Sequence, residues 1–254
     1  MLKQVLFLGT GAGDPLSLRR KSSSLLQYCG TSVLVDAGEP CAHSLISLGF
    51  SPLVIDAIFL THFHADHIGG LPLLIQSNHL LGRTSPMQIY LPQFGVEPLR
   101  CWLVALGLEP ERLSFPLELH PYEAAARHHV GCLYAVPFPT THDHLNGRKS
   151  YSVTLQCGDI CIVFSGDLGA AEDLCAPLAN LPQALVCELA HIHPVDLVRV
   201  LKDVPLETLL LVHLPEKMQS EAEDIRRFFD EHLPLTKEIF VPGDGESFPL
   251  DVVR

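Results

Sequence analysis

The chain has 254 residues, 47% of them hydrophobic, and carries 17 Lys and Arg against 29 Asp and Glu, a net charge of −12. That apolar content supplies a sizeable core and excludes wholesale disorder. The acidic balance excludes a broad surface for nucleic acid or an anionic membrane, because phosphate affinity comes mainly from Lys and Arg, though a small basic patch remains compatible with it.

The first nine residues carry one charge and an apolar run too short for a secretory signal. No apolar run in the chain approaches the roughly 20 residues needed to span a bilayer. Val5–Leu8 and Ser32–Asp36 read as short buried strands, closed by Gly9-Thr10-Gly11-Ala12-Gly13 and by Gly38. Ala57–Leu60 reads as a third strand, Leu71–Leu81 as a helix, Met87–Leu91 as a strand and Val96–Leu106 as a helix. Leu113–Leu119 and Leu133–Phe138 read as strands, and Tyr151–Gln156 and Ile160–Phe164 as a hairpin around Cys157-Gly158-Asp159. Beyond it, Ala184–Cys187 and Thr208–Val212 read as strands, with a helix over Val195–Lys202 between them. A helix over Ser220–His232, with Ser220 and Glu223 at capping-box spacing, precedes a final strand over Glu238–Val241. Early hairpins with interspersed helices point to sheets packed on each other with helices outside. No repeat or linker divides the chain, so residues 1–254 read as one domain.

The eight cysteines include no C-x-x-C pair, which predicts reduced, mostly buried thiols and a cytoplasmic location. Fourteen histidines are the unusual count. Four ligand-type side chains fall within Thr61-His62-Phe63-His64-Ala65-Asp66-His67, directly after an apolar strand. On extended backbone His62 and His64 point to the same side and can grip one metal; a turn must follow for Asp66 and His67 to face a second position. Imidazole and carboxylate together suit zinc, with manganese or iron as alternatives.

This H-x-H-x-D-H segment resembles the hallmark of the metallo-β-lactamase-fold superfamily, and the chain is most similar to its ribonuclease Z-type branch. Phe7-Leu8-Gly9-Thr10-Gly11-Ala12-Gly13 is similar to the branch's opening strand and glycine turn, and Val35-Asp36-Ala37-Gly38-Glu39 to its first Asp motif. The resemblance implies a four-layer αββα sandwich of α/β class. It also implies two divalent metal ions, most simply zinc. His62, His64 and His142 would hold one, and Asp66, His67 and His213 the other, with Asp167 bridging. His144, two residues from His142, competes with it for the third-histidine place. The implied reaction is hydrolysis by a hydroxide shared between the metals, with Asp66 orienting or deprotonating the nucleophile. Glu188 resembles the Glu of the branch's His-Glu-Ala segment, and either His191 or His193 fits the proton donor beside it, His191 being preferred. The alternative role for His193 is a helix N-cap before Pro194. Asp36 matches a residue that fixes the tautomer of a ligand histidine.

No Lys-Ser/Thr follows Gly9–Gly13, so that segment reads as a tight turn at the rim of the site and not as a P-loop. Arg19, Arg20 and Lys21 read either as a solvated loop or as a substrate phosphate contact.

The branch's transfer-RNA processors carry a long Gly/Pro-rich arm between the third histidine and the bridging aspartate. Here only 25 positions separate His142 from Asp167. The predicted function is therefore a metal-dependent hydrolase acting on a small phosphodiester, a cyclic nucleotide or a short nucleic acid. Transfer-RNA 3′ processing and a mono-iron thiol or persulfide dioxygenase on the same fold stand as alternatives. A homodimer is expected from the resemblance, with the Leu71–Leu81 helix as either contact surface or core.

Overall fold

The computed structural model describes residues 2–122, 125–143, 147–158 and 160–250. The strands of the first half are β1 (Gln4–Gly9), β2 (Ser23–Tyr28), β3 (Thr31–Val35), β4 (Ala57–Phe59), β5 (Met87–Leu91) and β6 (Leu117–Pro121). Those of the second half are β7 (His128–Val130), β8 (Leu133–Asp143), β9 (Lys149–Cys157), β10 (Ile160–Phe164), β11 (Ala184–Glu188), β12 (Thr208–Val212), β13 (Glu238–Phe240) and β14 (Ser247–Pro249). They form two mixed sheets, ordered β14-β1-β2-β3-β4-β5-β6 and β13-β12-β11-β10-β9-β8-β7. The helices are α1 (Cys41–Ser47), α2 (Ala65–Ile68), α3 (Leu71–Leu80), α4 (Val96–Ala105), α5 (Cys175–Leu178), α6 (Pro194–Leu201), α7 (Glu216–Gln219) and α8 (Ala222–His232).

The period-2 geometry of a strand explains the layering. In β1, Val5 and Phe7 face the core between the sheets, while Leu6 and Leu8 face the layer of α1, α3 and α4. In β12, Leu210 faces the inter-sheet core, while Leu209 and Leu211 face the layer of α6 and α8. Strands buried on both faces must be apolar throughout, which is why these segments show no polar alternation. The result is the expected αββα sandwich.

Several boundaries depart from expectation for local reasons. The strand expected over Leu113–Leu119 begins at Leu117, which pairs with Met87, because Pro116 has no N–H to offer the ladder. The helix expected from Ser220 begins at Ala222; Ser220 instead terminates α7, and no side chain caps α8. The predicted capping box is therefore absent, and Glu223 Oε1 pairs with Arg226 at 2.7 Å. β8 runs to Asp143, through Pro137 and Pro139, with its register broken after Pro139. Strand β2 carries no readable pattern because all six residues are buried. Helix α3 turns Leu71, Leu74 and Ile75 into the core and leaves Leu73 and Leu80 exposed. All eight cysteines are free thiols, but only Cys41, Cys161 and Cys187 are buried, against the expectation that most would be. Among the described residues, no helix is long and apolar enough to cross a membrane.

Phe59 is fully buried in the inter-sheet core and stacks on Tyr90 with centroids 4.5 Å apart. Phe59→Ala should lower the unfolding free energy by about 3–5 kcal/mol, read as a fall in the urea midpoint at unchanged slope. A loss below about 1 kcal/mol would contradict the packing described.

Candidate metal centre

All the candidate ligands gather at one end of the sandwich. After β4 the backbone stays extended through His64 (φ −68°, ψ 148°), which serves as the N-cap of α2. The extended stretch puts His62 and His64 on one side, their facing nitrogens Nε2 and Nδ1 2.9 Å apart. The turn of α2 then swings Asp66 and His67 to the adjacent position, as the spacing predicts. His142 arrives from the end of β8, Asp167 from just beyond β10, and His213 from just beyond β12.

Two donor groups result, His62 with His64, His142 and Asp167, and Asp66 with His67 and His213. Within each group the donor atoms lie within 4.8 Å of one another. Asp167 joins them, since Oδ2 lies 3.3 Å from His62 Nε2 and Oδ1 lies 3.2 Å from His67 Nε2. A third group, Asp167 with His191 and His213, meets the same 4.8 Å limit. His144 lies outside the described residues, and His142 stands in the first donor group.

The donor set fits divalent cations. His67 Nε2, His142 Nε2 and Asp167 Oδ1 are buried without a hydrogen-bond partner, which is costly unless another acceptor of their electrons is supplied. The opposite ring nitrogens are occupied instead. His67 Nδ1 donates to Asp36 Oδ2 at 2.7 Å, His213 Nδ1 lies 2.6 Å from Ser22 Oγ, and His62 Nδ1 lies 3.0 Å from Thr61 Oγ1. Such contacts fix the ring orientation and leave Nε2 as the donor toward the centre. Burial pushes His62, His213 and His142 below the ordinary imidazole range, which keeps them neutral, the ligating form. Burial opposes the charge on His67 as well, but the carboxylates of Asp167 and Asp36 outweigh it and raise its pKa.

Glu188, at the end of β11, is 2% exposed and saturated with donors. Its Oε1 accepts from Leu168 N at 2.8 Å, and its Oε2 from the backbone N–H groups of Ala190 and His191 at 2.8 and 2.9 Å. The His191 ring completes the set, with Nδ1 3.1 Å from both carboxylate oxygens. Hydrogen bonding to Glu188 is the main cause of the raised pKa of His191, against the effect of burial. His191 Nδ1 also lies 3.7 Å from Asp167 Oδ2, and its ring centroid lies 4.6 Å from that of His142. His193 is elsewhere employed, since its Nδ1 accepts from Val195 N at the start of α6. The structure thus sets His191, the histidine preferred from sequence, against Glu188, and His193 at the α6 N-terminus.

Two glycines are demanded by close approach. A Cβ on Gly13 would lie 3.0 Å from Asp66 Oδ2, so the glycine turn forms the rim of the centre. Gly166 has φ +57°, and a Cβ there would lie 2.4 Å from Tyr151 O, so only glycine lets Asp167 enter from β10. Within the basic run, Arg19 and Lys21 follow neither of its two readings. Arg19 Nη1 donates to Thr10 Oγ1 and Pro242 O, and Lys21 Nζ donates to Ala12 O and Asp14 O, so both side chains brace the glycine turn. Asp173 is a residue that sequence reasoning missed. Its Oδ2 accepts from Thr141 N, Gly169 N and Ala170 N, tying the segment before His142 to the segment after Asp167. Nothing in Ala170-Ala171-Glu172-Asp173 distinguishes it from a surface acid.

The cleft over these residues has a volume of about 370 Å³ and is lined by Gly13, Asp14, His64, Asp66, His191 and His213, among others.

The sequence model for the anti-Pycsar protein Apyc1 family matches residues 3–232. Ribonuclease Z of Methanococcus maripaludis is 37% identical over 117 residues, which is 46% of this chain and 37% of that protein. The chain spans less than two fifths of the length of the curated relatives it matches. Among solved structures, the metallo-β-lactamase fold protein YhfI from Bacillus subtilis superposes with a TM-score of 0.79 at 21% identity, covering 96% of this chain and 98% of that one. The short form of human tRNase Z gives 0.76 at 20% identity, covering 98% and 100%. The fold is therefore the metallo-β-lactamase fold, and about half of the chain is similar in sequence to ribonuclease Z.

Asp36 holds His67 from behind and touches no other ligand imidazole by hydrogen bond among the described contacts. Asp36→Asn should weaken divalent-metal affinity by about 10–100-fold, measured by chelator competition, with the far-ultraviolet circular dichroism unchanged. Unaltered affinity would exclude the proposed bracing.

Proposed function

The chain belongs to the anti-Pycsar protein Apyc1 family, and from that premise we propose that it is a metal-dependent phosphodiesterase acting on small nucleotides, cyclic nucleotides first among them. One observation carries this reading: the two ligand groups share Asp167, and the His191–Glu188 pair stands beside that shared carboxylate. Two adjacent groups favour two cations over the single iron of a dioxygenase. His62, His64 and His142 would hold one cation and Asp66, His67 and His213 the other, with Asp167 between them; zinc suits the imidazole-rich set. Bound there, the cations would supply Lewis acidity and a water acidic enough to act as nucleophile near neutral pH.

The chain's own groups account for the remaining work. Asp66 reaches the cleft from the rim and accepts the nucleophile's proton or orients it. His191, raised in pKa by Glu188, carries a proton to the departing oxygen. Glu188 is saturated by backbone donors and positions the imidazole.

Size and charge narrow the substrate. A cleft of about 370 Å³ lies at the small end of ligand sites, which favours a small substrate. The span between His142 and Asp167 is occupied by β9 and β10, with no arm projecting from it among the described residues. The similarity to ribonuclease Z supports a second reading, cleavage of a transfer-RNA precursor, which the net charge of −12 disfavours.

Asp167→Ala should abolish hydrolysis of 3′,5′-cyclic nucleotides and of bis(p-nitrophenyl) phosphate alike, and metal content should fall with it. Retained turnover would place the chemistry elsewhere, and faster cleavage of a precursor transfer RNA than of cyclic nucleotides would overturn the substrate assignment. His191→Ala should leave metal content intact and lower kcat on a cyclic nucleotide by about 10²–10⁴-fold. The loss should be much smaller for bis(p-nitrophenyl) phosphate, whose leaving group departs without a proton. Equal losses on both substrates would exclude His191 as the proton donor.

A further inference from the structure

Three hairpin turns meet at the pole of the sandwich away from the metal centre. Strand β9 spans the distance: Ser150 Oγ lies 3.5 Å from His62 Nδ1, and Cys157 stands seven residues further on, about 23 Å along the strand. Cys29 and Gly30, both with positive φ, make the β2–β3 turn; Gly131 and Cys132 make the β7–β8 turn; Cys157 closes β9.

The Cys132 sulfur is pinned between the sheets. It donates to Tyr28 O at 3.4 Å and accepts from Thr31 Oγ1 at 3.4 Å, while Cys132 N donates to the same Oγ1 at 3.2 Å. The approach is close, since a Cβ on Gly131 would lie 2.3 Å from Thr31 Oγ1. The ladder pairs Gln156 with Tyr134 and Tyr134 follows Leu133, so the register sets Cys157 beside the turn that carries Cys132. Cys132 is open to solvent, and Cys157 is half-buried against the inter-sheet core. The third thiol, Cys29, is exposed and engaged with the Tyr28 hydroxyl.

We propose that Cys132 and Cys157 form a reversible dithiol–disulfide pair, closed by thiol–disulfide exchange with a small disulfide such as oxidised glutathione. Two thiols on neighbouring backbone positions, one on an exposed residue and one half-buried, are the arrangement this exchange requires. The sulfur of Cys132, released from Tyr28 O as thiolate, attacks one sulfur of the glutathione disulfide; that S–S bond breaks and the first glutathione leaves as a thiol after taking up a proton. The Cys157 sulfur then gives up its proton and attacks the Cys132 sulfur of the mixed disulfide, releasing the second glutathione. The protein loses two electrons and two protons, and the glutathione disulfide gains them. Loss of solvation, then the Cys132 sulfur, push the Cys157 thiol up to about 11, which assigns the first attack to Cys132. The bond would join the β7–β8 turn to the end of β9, remote from the hydrolytic residues.

The test is incubation of the metal-loaded full chain with oxidised glutathione, followed by intact-mass and peptide analysis. The expected product has lost about 2 Da, yields a Cys132–Cys157 cross-linked peptide, reverts with dithiothreitol and hydrolyses substrate at the starting rate. Its Tm should rise, on the order of 5 °C. Cys157→Ser should instead stop at a glutathione adduct on Cys132, with unchanged circular dichroism showing that the fold is kept. A wild-type product that retains glutathione on Cys132, or that links Cys132 to Cys29, would overturn the pairing.

Discussion

One buried carboxylate organises the molecule. Asp167 is 1% exposed, and nitrogens of His62, His64, His67, His142, His191 and His213 all come within 4 Å of its oxygens. Burial alone would make an ionised carboxylate several kcal/mol unfavourable. Here burial does oppose ionisation, but His67 above all, with His62 and His64, holds the carboxyl well below its usual range. The six imidazoles come from the ends of β4, β8, β11 and β12 and from α2, which belong to both sheets. The charge can therefore be compensated only when the two sheets are packed in register, and the centre and the sandwich stabilise each other.

Around this centre, acidic side chains hold backbone in place. Asp36 accepts from Thr61 N and from His67, Glu188 from three backbone N–H groups, Asp173 from three more, and Asp244 from Thr10 N and Arg20 N. Each is a charge-assisted bond to a loop that carries or abuts a ligand. Part of the net charge of −12 is thus directed inward at the polar end of the sandwich. The overall charge speaks against a broad phosphate surface, yet the local geometry collects six imidazoles around one carboxylate.

The centre was more legible in the sequence than the fold around it. His62, His64, Asp66 and His67 lie close together in the chain, so the backbone periodicities of strand and helix decide where they point. His142, Asp167 and His213 were readable only through resemblance, because nothing local links residues 25 or more positions apart. Strand β2 was missed since its full burial erases alternation, and the start of β6 was misplaced since Pro116 blocks pairing. Ser22 and Thr61 were marked only by position in the resembling motifs, and Asp173 gave no signal, because their roles arise from tertiary contact. The choice between His191 and His193 needed the position of Glu188 on one side and of the α6 N-terminus on the other.

The glycine turn after β1 owes its place at the rim to backbone strain across the cleft. His213 has φ 51° and Asp36 has φ 60°, left-handed values that cost a side-chain-bearing residue roughly 1–2 kcal/mol. For His213 the compensation is visible. Leu214 N donates to Thr10 O and Ala12 N donates to Leu214 O, so the residue after the ligand is paired into the turn. Gly11 bridges both Leu214 and Lys21, and a Cβ on Gly11 would lie 2.7 Å from Ser17 Oγ. Lys21 Nζ and Arg19 Nη1 then fasten the turn from outside. The glycines are needed so that this segment can approach the end of β12 closely enough to hold His213 in its unfavourable conformation. The turn thus supports His213, with Lys21 directed to the carbonyl oxygens of Ala12 and Asp14 and Arg19 to the Thr10 hydroxyl and Pro242 O.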